Sequence, residues 1–561
     1  MKKILLYFII VSLALSGCKN WLDINYSPND TLASNVTIDF VLPATQSRIA
    51  ALLNSSNNSL YNQSFLAHHL TKSGSVGGTY NFLTGLLQPQ DANYSWQELY
   101  SNNANLVLVK EKALELNSKA YEGVARALLV HNFQNLVDMF GNVPYSEALL
   151  GRDPYQPKYD KAEDIYANLL TEIDLAIACF VDAKSAEQQD ISRFNNFASV
   201  DVMAGGNIDK WNRFAHSLKL RLLIRVSGVQ NVASQIEAIK DKCLAWNEVM
   251  ECNPGYRKES NKMKHWSFYL GWNHLNQEQN GHTYYRPTRD FVDMLRDNND
   301  PRLRVYVQPR RTLTNDPDGL ADYAASGLET EPYIGIPYGQ QNPPENTHTG
   351  AIGPGILFLS TEIDPTTNAP IMGGFEVSFY LAEAALKGYV SGGDAAAKSY
   401  YEQGVTGVFK YLEVPLKGDG IVKVPPGYPS GYAGTLPAIT GSAEDAAAAY
   451  LSQPGNTFCN WDLMNTDNQK LNAIASQKWI SLFGVSSIEA WSEFRRLDLP
   501  ELGSSRQAQV LYNISILPYP QTEINLNYDN YISNVTGRTV TETLLFWDVV
   551  NPQAPKVPEY L

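Results

Sequence analysis

The chain has 561 residues, of which 44% are hydrophobic and 18% are charged, and its formal net charge is −14. This length and apolar content predict a largely globular protein with a sizeable buried core. The excess of acidic residues argues against a partner with a phosphate backbone, so we expect no nucleic acid among its ligands.

The first residues are typical of an export signal. Two lysines precede an apolar run over 4–15, which is too short for a permanent membrane span, and the run is followed by Leu-Ser-Gly-Cys ending at Cys18. This tail has the pattern of a bacterial lipobox, in which cleavage leaves the cysteine as an acylated N-terminus. We predict a signal peptide over 1–17, a lipid anchor at Cys18 and a polar tether over 18–36. An ordinary signal peptide with a chance cysteine is the alternative.

Hydrophobic periodicity predicts a series of helices along the mature chain. Apolar stripes at helical spacing occur over 38–53, 96–116, 121–140, 162–180, 211–226 and 377–384. Small and large residues alternate as in a tetratricopeptide repeat at two places, Ala162-Tyr166-Leu169 and Gly392-Ala397-Tyr401-Gly404. Asp160 and Glu163 are interpreted as a capping pair. The segment 54–93 has no sustained period and is predicted to be mostly loop.

The stretch 477–500 predicts two short amphipathic helices joined by a turn at Gly484. Ser486 precedes Glu489 by three residues, which is the spacing of a capping box. The second helix carries an apolar stripe opposite charged residues that we interpret as a packed or paired solvated face: Ile488, Trp491 and Phe494 against Glu493, Arg495 and Arg496. A hairpin of this size cannot bury its own apolar face, so it requires further hairpins to pack on.

Together these patterns predict a mainly α fold, made of tetratricopeptide-like helical hairpins with long loop-rich inserts. We expect a single large domain over 37–561, because the inserts interrupt the scaffold repeatedly. The scaffold is assigned to about 38–230, 371–410 and 470–500, and the loop-rich region to about 243–370 and 411–470. Gly-Pro-Tyr clusters in the inserts favour turns and irregular structure.

Four cysteines follow Cys18, and none forms a CxxC pair, so a structural zinc site has no support. Cys243 and Cys252 are close enough in sequence to form a disulfide bond. Buried free thiols are at least as good an interpretation of these two residues and of Cys179 and Cys459.

Several separated segments resemble, in family order, the SusD/RagB family of outer-membrane lipoproteins from Bacteroidetes-type bacteria, particularly its second SusD-like branch. Besides the lipobox they are FGNVPYSEAL at 140–149, KYDKAEDIYANLLTEIDLAI at 158–177, KWNRFAHSLKLRLLIRVSG at 210–228, DNNDPRL at 297–303, QKWISLFG with EAWSEFRRLDLP at 477–500, YPQTEINLN at 519–527 and FWDV at 546–549. These segments extend over nearly the whole mature chain.

The resemblance implies a helical protein whose tetratricopeptide-like face contacts a SusC-type TonB-dependent barrel, while an irregular region holds the ligand. It also implies nutrient binding without enzymatic activity and without a cofactor, at the outer membrane and on the cell surface. Members bind glycans, including starch, or peptides. We therefore expect a lipoprotein that captures a glycan, with a peptide-binding, RagB-like protein as the alternative.

A glycan platform needs flat aromatic faces and hydrogen-bonding groups beside them. The stretch 265–285 lies in the loop-rich region and is the richest in both, and a second aromatic group surrounds Tyr80. The candidate ligand-binding residues are Trp266, Tyr269, Trp272, Asn273, Tyr284, Tyr285, Tyr80 and Phe82. For each of them, packing beneath a loop is the competing interpretation. Trp96, at the start of a helix, is assigned to the core, as are Trp211, Trp479 and Trp491.

A helical glycoside hydrolase is the third hypothesis, and it requires two carboxylates on either side of a scissile bond. Asp290 and Asp293 are the only pair that we nominate, and one turn of helix explains their spacing equally well. We predict no metal site, because His265, His274 and His282 are loosely spaced and Asp316-x-Asp318-Gly319 lacks the distal glutamate of a calcium loop.

Overall fold

The structure, a computed structural model, describes residues 37–54, 59–72, 80–151, 155–255, 285–308, 333–340, 351–352, 368–412, 441–503, 513–541 and 543–550. The N-terminal helices are α1 Ile38–Asn54, α2 Ser59–Leu66, α3 Asn81–Thr84, α4 Asn93–Glu115, α5 Lys119–Phe140, α6 Ala162–Asp182, α7 Ala186–Phe194, α8 Phe197–Val200, α9 Ile208–Val226 and α10 Ala233–Ile239. The later helices are α11 Arg289–Arg296, α12 Leu303–Tyr306, α13 Gly374–Leu386, α14 Gly393–Tyr411, α15 Ala443–Leu451, α16 Asp467–Leu482, α17 Ser487–Leu497, α18 Gln521–Leu526 and α19 Tyr528–Val535.

Short strands form four two-stranded antiparallel sheets within the described residues. β1 Leu70–Lys72 pairs with β5 Tyr285–Pro287, and β2 Val143–Pro144 pairs with β3 Tyr159–Asp160. β4 Val249–Cys252 pairs with β8 Ala369–Gly373, and β6 Val307–Gln308 pairs with β7 Ala351–Ile352. The mainly α fold class is confirmed.

Packed helix pairs build the scaffold: α4 packs on α5, α5 on α6, and α6 on α9, while α13 packs on both α14 and α16. The sequence periodicity of α6 is confirmed, because the stripe from Ala162 through Tyr166 to Phe180 is buried. Trp96, Trp211, Trp479 and Trp491 lie in the core as expected. One continuous set of buried side chains extends from Ile38 to Trp547, so the helix pairs share a single core.

The second tetratricopeptide-like motif brings α13 and α14 into close contact. Ala397, Tyr401 and Gly404 are buried on one face of α14. A Cβ atom placed on Gly404 would lie 2.7 Å from the ring of Phe379 in α13. The missing side chain therefore lets the two helices approach closely.

The two predicted capping boxes have different outcomes. The hydroxyl of Ser486 accepts a hydrogen bond from the backbone N–H of Glu489 at 3.3 Å, so Ser486 caps α17 as expected. The reciprocal half of the box does not form, because the Glu489 carboxylate pairs with Arg225 and the Ser486 N–H donates to the Leu482 carbonyl. At α6 the prediction is wrong, because the cap residue is Lys161, which makes no capping hydrogen bond through its side chain. The Asp160 carboxylate instead accepts hydrogen bonds from the backbone N–H groups of Tyr145 and Ser146 and so holds the β2–β3 turn.

The expectation of loop over 54–93 is partly wrong, because α2, β1 and α3 form there. The helix α2 packs on α17, and Ser64 Oγ lies 2.9 Å from Ser487 Oγ. The local sequence of α2 has little amphipathic pattern, and its burial against α17 supplies the stabilisation that a short helix lacks alone.

The charged side of α17 is buried and not solvated, so that interpretation is corrected. Arg495 and Arg496 are 6% and 4% exposed. The guanidinium of Arg496 contacts Glu383 of α13 at 2.5 Å and Glu493 at 2.7 Å. Arg495 donates to the carbonyl oxygens of Ser515 and Asp138 and lies 3.6 Å from the ring centroid of Trp491. The pairing that the sequence suggested is present, but it occurs inside the protein.

Two arginines of α9 extend this buried ionic network. Arg225 contacts Glu489 at 2.6 Å and also pairs with Glu493. Arg221 contacts Glu376 of α13 at 2.6 Å. Together with Asp138 of α5 and Lys478 of α16, the network connects five helices from both halves of the sequence: α5, α9, α13, α16 and α17.

All four cysteines of the described fold are free thiols and are buried. Cys243 and Cys252 are therefore not joined in a disulfide bond. Burial raises the pKa of the Cys243 thiol to about 12, and the pKa of Cys459 is raised in the same way.

Candidate functional site

The β1–β5 ladder brings together two parts of the chain that the sequence nominated separately. Lys72 at the end of β1 lies opposite Tyr285 at the start of β5. The next residue after β5, Thr288, donates its backbone N–H to the His69 carbonyl and its hydroxyl to the His68 carbonyl. These bonds fix the register, so Tyr285 is held at the edge of the sheet beside β1.

Four side chains form what we name the loop-edge cluster: Phe65, Lys72, Tyr80 and Tyr285. The rings of Tyr80 and Tyr285 meet edge to face, with centroids 6.4 Å apart. Phe65 supports both rings from the core, at 5.9 Å from Tyr80 and 5.7 Å from Tyr285. Lys72 Nζ lies 5.9 Å from the Tyr80 ring centroid. Both tyrosines are only partly buried, so the cluster lies at the edge of the core.

Residues of the loop-edge cluster stand next to two inserts in the sequence. Lys72 and Tyr80 flank residues 73–79, and Tyr285 directly follows residues 256–284. The segment 333–340 lies alongside, because Gly339 N–H donates to the Thr71 hydroxyl at 3.0 Å and Tyr338 donates its hydroxyl to the Phe65 carbonyl at 2.8 Å. The aromatic-rich stretch nominated from the sequence therefore ends at this cluster.

The candidate residues differ in their positions in the structure. Tyr80 and Tyr285, from two separate stretches, are brought into one group. Phe82, in α3, is 6% exposed and packs in the core, so it has almost no ring face to present to a ligand. The other candidates, and the lipid anchor, lie outside the described residues: Trp266, Tyr269, Trp272, Asn273, Tyr284 and Cys18.

Sequence reasoning did not nominate Lys72 or Phe65. Lys72 stands in a short polar stretch, and its contact with Tyr80 joins two residues that are eight positions apart in the sequence. Phe65 belongs to a segment that was predicted to be loop. A lysine eight residues before a tyrosine carries no periodic signal, so only the folded arrangement identifies this group.

The loop-edge cluster has the chemistry of a binding surface. A tyrosine ring face packs against the C–H groups of a sugar, while the phenol hydroxyl and the lysine ammonium form hydrogen bonds with hydroxyl or carboxylate groups. The aromatic support from Phe65 holds the two tyrosines in a fixed orientation. Stacking and hydrogen bonding are the interactions that these groups can supply.

The carboxylates nominated for hydrolysis lie in α11, next to β5. Asp293 Oδ1 lies 2.7 Å from Arg296 Nη1, one turn further along the helix. Burial raises the pKa of Asp293, and Arg296 opposes that rise. The ion pair gives the Asp293 carboxylate a structural role within α11. Asp290 lies in the first turn of the same helix. This geometry gives the hydrolase hypothesis no support.

The described residues contain neither a candidate metal cluster nor a helix suited to crossing a membrane. Over those ranges, no group of three or more His, Cys, Asp and Glu side chains is arranged to hold a metal ion. The histidines over 265–282 and the aspartates over 316–318, which were weighed above as metal ligands, lie outside the described residues. No helix in the described part of the chain is sufficiently long and apolar to cross a membrane.

Comparison with protein families identifies the chain. A family model described as "Starch-binding associating with outer membrane", SusD-like family 2, matches residues 28–520. The chain belongs to this SusD-like family, as the sequence resemblance indicated. No curated protein matches the sequence significantly.

Solved structures show the same fold at low sequence identity. A chitin-binding SusD homologue from Flavobacterium johnsoniae is 19% identical, with a TM-score of 0.67, and the match covers 92% of this chain and 99% of that one. A SusD homologue from Bacteroides fragilis is 20% identical, with a TM-score of 0.65 and coverage of 91% and 99%. A SusD-like protein from Bacteroides thetaiotaomicron is 21% identical, with a TM-score of 0.65 and coverage of 91% and 100%.

Proposed function

We propose that this protein is a cell-surface lipoprotein that captures an oligosaccharide and delivers it to a SusC-type TonB-dependent transporter in the outer membrane. Membership of a family described as starch-binding and associated with the outer membrane supports the binding role and the location. The observation that carries the ligand class is the loop-edge cluster, in which Tyr80 and Tyr285 lie together beside Lys72.

Binding rests on stacking and hydrogen bonding, and the protein itself catalyses no reaction. Trp266 and Trp272 belong to the aromatic-rich stretch that precedes Tyr285 in the sequence, and they remain proposed ligand-binding residues. The chitin-binding homologue from Flavobacterium johnsoniae is a glycan-binding protein of the same fold, which makes a glycan the first ligand class to test. A peptide ligand is the second, because the lysine and tyrosine groups also suit peptide carboxylates and amides.

The test is calorimetric titration of the chain lacking residues 1–18, which removes the predicted signal peptide and lipid-anchor cysteine and none of the described residues. A panel of polysaccharides, with chitin and starch oligomers included, is titrated alongside a protein digest. We expect saturable glycan binding, weakened about tenfold, or about 1.4 kcal/mol, by each of Tyr80→Ala, Tyr285→Ala, Trp266→Ala and Trp272→Ala.

The control variant is Tyr155→Ala, which removes a tyrosine that is 79% exposed and outside the loop-edge cluster. It should bind glycan as tightly as the unmodified chain. Binding only to peptides would replace the glycan proposal with the peptide alternative. Glycan binding that survives all four platform substitutions would retain the function and reject this site.

A further inference from the structure

A small pocket inside the N-terminal scaffold brings polar side chains from two helices together. It lies between α1, α2, α4, α5 and α17, and much of its wall is apolar, with Ile49 and Met139 among the lining residues. Gln63 of α2 lines it from one side, and His131 and Asn135 of α5 line it from another. The loop-edge cluster contributes no residue to this lining, so the pocket is a separate site.

Gln63 shows that the pocket needs a polar occupant. Its side chain is 5% exposed, and its Oε1 atom has no hydrogen-bond partner among the described residues. A buried carbonyl oxygen without a partner loses its hydration and gains nothing in return. For this reason nearly all buried polar atoms of folded proteins are paired, either with protein groups or with ordered water.

The hydrogen bonds around His131 determine which of its nitrogens carries the proton. Asn132 Nδ2 donates to Asn103 Oδ1 at 2.8 Å, so the Asn132 Oδ1 atom that lies 3.3 Å from His131 Nδ1 is an acceptor. His131 Nδ1 is therefore the protonated nitrogen. Burial, together with the charge of Arg221, lowers the pKa of His131 to about 3, so the ring is neutral near pH 7. A neutral imidazole with its proton on Nδ1 has an acceptor at Nε2.

These groups match the hydrogen-bonding pattern of water. Gln63 Oε1 and His131 Nε2 are acceptors, and the Asn135 amide adds a donor. A water molecule has two protons to donate and also accepts hydrogen bonds. The free interior of the pocket has room for about one water molecule, which is far too little for a sugar ring. The side chains that line it are apolar or neutral, which favours an uncharged occupant over an ion.

We propose that this pocket is a binding site for one ordered water molecule, which donates to Gln63 Oε1 and His131 Nε2 and accepts from Asn135 Nδ2. The water joins α2 to α5, two helices from separate parts of the N-terminal scaffold. Gln63 lies two residues before Phe65, whose ring supports Tyr80 and Tyr285. The water therefore helps to fix the helix on which the loop-edge cluster rests, whichever ligand that cluster binds.

A high-resolution crystal structure of the chain lacking residues 1–18 tests the site directly. We expect a single, well-defined density peak within about 3.2 Å of both Gln63 Oε1 and His131 Nε2. A Gln63 amide that has turned to pair with a protein group, with no such peak, would overturn the proposal. Density for a molecule larger than water would also overturn it.

The sign of a stability change gives an independent test. Gln63→Met keeps the approximate shape of the side chain but removes the carbonyl oxygen. If water is bound, the variant loses a hydrogen bond and leaves the water with fewer partners, so the thermal midpoint should fall by about 1–2 °C. If no water is bound, the variant removes an unpaired buried acceptor, and the midpoint should rise. An unchanged or higher midpoint would therefore contradict the water site.

The second variant is Asn135→Leu, which removes the proposed donor from the opposite helix and should lower the midpoint in the same direction. The matched control is Gln235→Met, since Gln235 is exposed on α10. It should leave the midpoint unchanged. Circular dichroism spectra verify that each variant is folded. An equal fall in the control would show that the effect is not specific to the pocket, and it would remove the support that stability gives to the proposal.

Discussion

Glu383 shows how a single carboxylate is stabilised inside this protein. It is fully buried in α13, where the guanidinium of Arg496 contacts it at 2.5 Å and Lys387 Nζ lies 2.7 Å away. Burial alone raises the pKa of Glu383, but Arg496, Lys387 and Lys478 outweigh this effect and lower its pKa to about 2. A carboxyl group whose pKa falls on folding stabilises the fold above its ordinary pKa.

We predict that Glu383→Gln lowers the free energy of unfolding at pH 7 by about 3 kcal/mol, because it leaves Arg496 and Lys478 buried with less compensating charge. The Glu383 contribution is fully present above about pH 4.5 and is lost as the pH falls toward about 2. The difference between the two proteins should therefore shrink on acidification. Urea denaturation over a series of pH values from 7 downward measures it.

Other carboxylates respond in the opposite direction, which is why the variant must be compared with the unmodified chain. Burial raises the pKa of Asp138 and of Glu376, so protonation of these groups favours the folded state as the pH falls. The control is Asp462→Asn, since Asp462 is exposed and contacts Lys398 at 2.6 Å. It should change stability by less than about 1 kcal/mol. Similar losses in the two variants would contradict the assigned role of Glu383.

At the scale of elements, the α13–α14 pair depends on the absence of a side chain. The Cβ position of Gly404 lies 2.7 Å from the Phe379 ring, and Phe379 is fully buried. Gly407, one turn later on the same helix, would place a Cβ 2.3 Å from the carbonyl oxygen of Trp246. The two glycines therefore set the distance of α14 from its neighbours.

We predict that Gly404→Ala lowers the free energy of unfolding by about 1–2 kcal/mol. Overpacking against Phe379 costs about 1–3 kcal/mol, and the better helix propensity of alanine offsets part of it. Thermal and urea denaturation measure the change. The control is Gly503→Ala, where a Cβ meets no atom within 4 Å. A stabilising effect of Gly404→Ala would mean that α13 and α14 are further apart than described.

On the scale of the whole molecule, the continuous core predicts cooperative unfolding. The buried thiols are distributed along the chain, with Cys179 in α6, Cys252 in β4 and Cys459 after α15. One set of buried side chains connects the scaffold from Ile38 to Trp547. Exposure of any one thiol to solvent then requires disruption of packing that the others share.

We predict that the chain lacking residues 1–18 shows almost no reaction with Ellman's reagent while folded. Burial raises the thiol pKa of Cys179, Cys243 and Cys459 to about 12, so the reactive thiolate is scarce near neutral pH. As the urea concentration rises, all four thiols should become reactive with the same midpoint as the loss of helical circular dichroism. Detection of only two thiols after unfolding would indicate a disulfide bond, and early release of one thiol would contradict a single cooperative unit.

Helix positions were the part of the fold that local pattern predicted well. The stripe over 162–180 corresponds to α6, and the expected helix over 121–140 corresponds to α5, which begins two residues earlier. The apolar face of an amphipathic helix is encoded within a few turns, so its period is visible without the partner. The cap at Asp160 was mispredicted because the backbone N–H groups of Tyr145 and Ser146, directly after β2, donate to its carboxylate in place of the helix terminus.

The candidate site was predicted in part. The aromatic nature of Tyr80 and Tyr285 pointed to them individually, whereas their association and the presence of Lys72 depend on the β1–β5 register. Phe82 is an aromatic residue of the same short stretch as Tyr80, yet it lies in the core. The sequence shows where the aromatic residues are. Whether a given ring is buried or partly exposed is determined by packing in the folded protein.

The sequence by itself determined the helical class, the core-facing stripes and the family, because these depend on residue order over short distances and on several separated motifs. The tertiary structure decided the rest. It buried Arg225 and Arg496 by bringing carboxylates from distant helices to within hydrogen-bond distance, and it placed Tyr80 against Tyr285. A buried charge is tolerated only where partners surround it, and those partners lie up to 268 positions away along the chain.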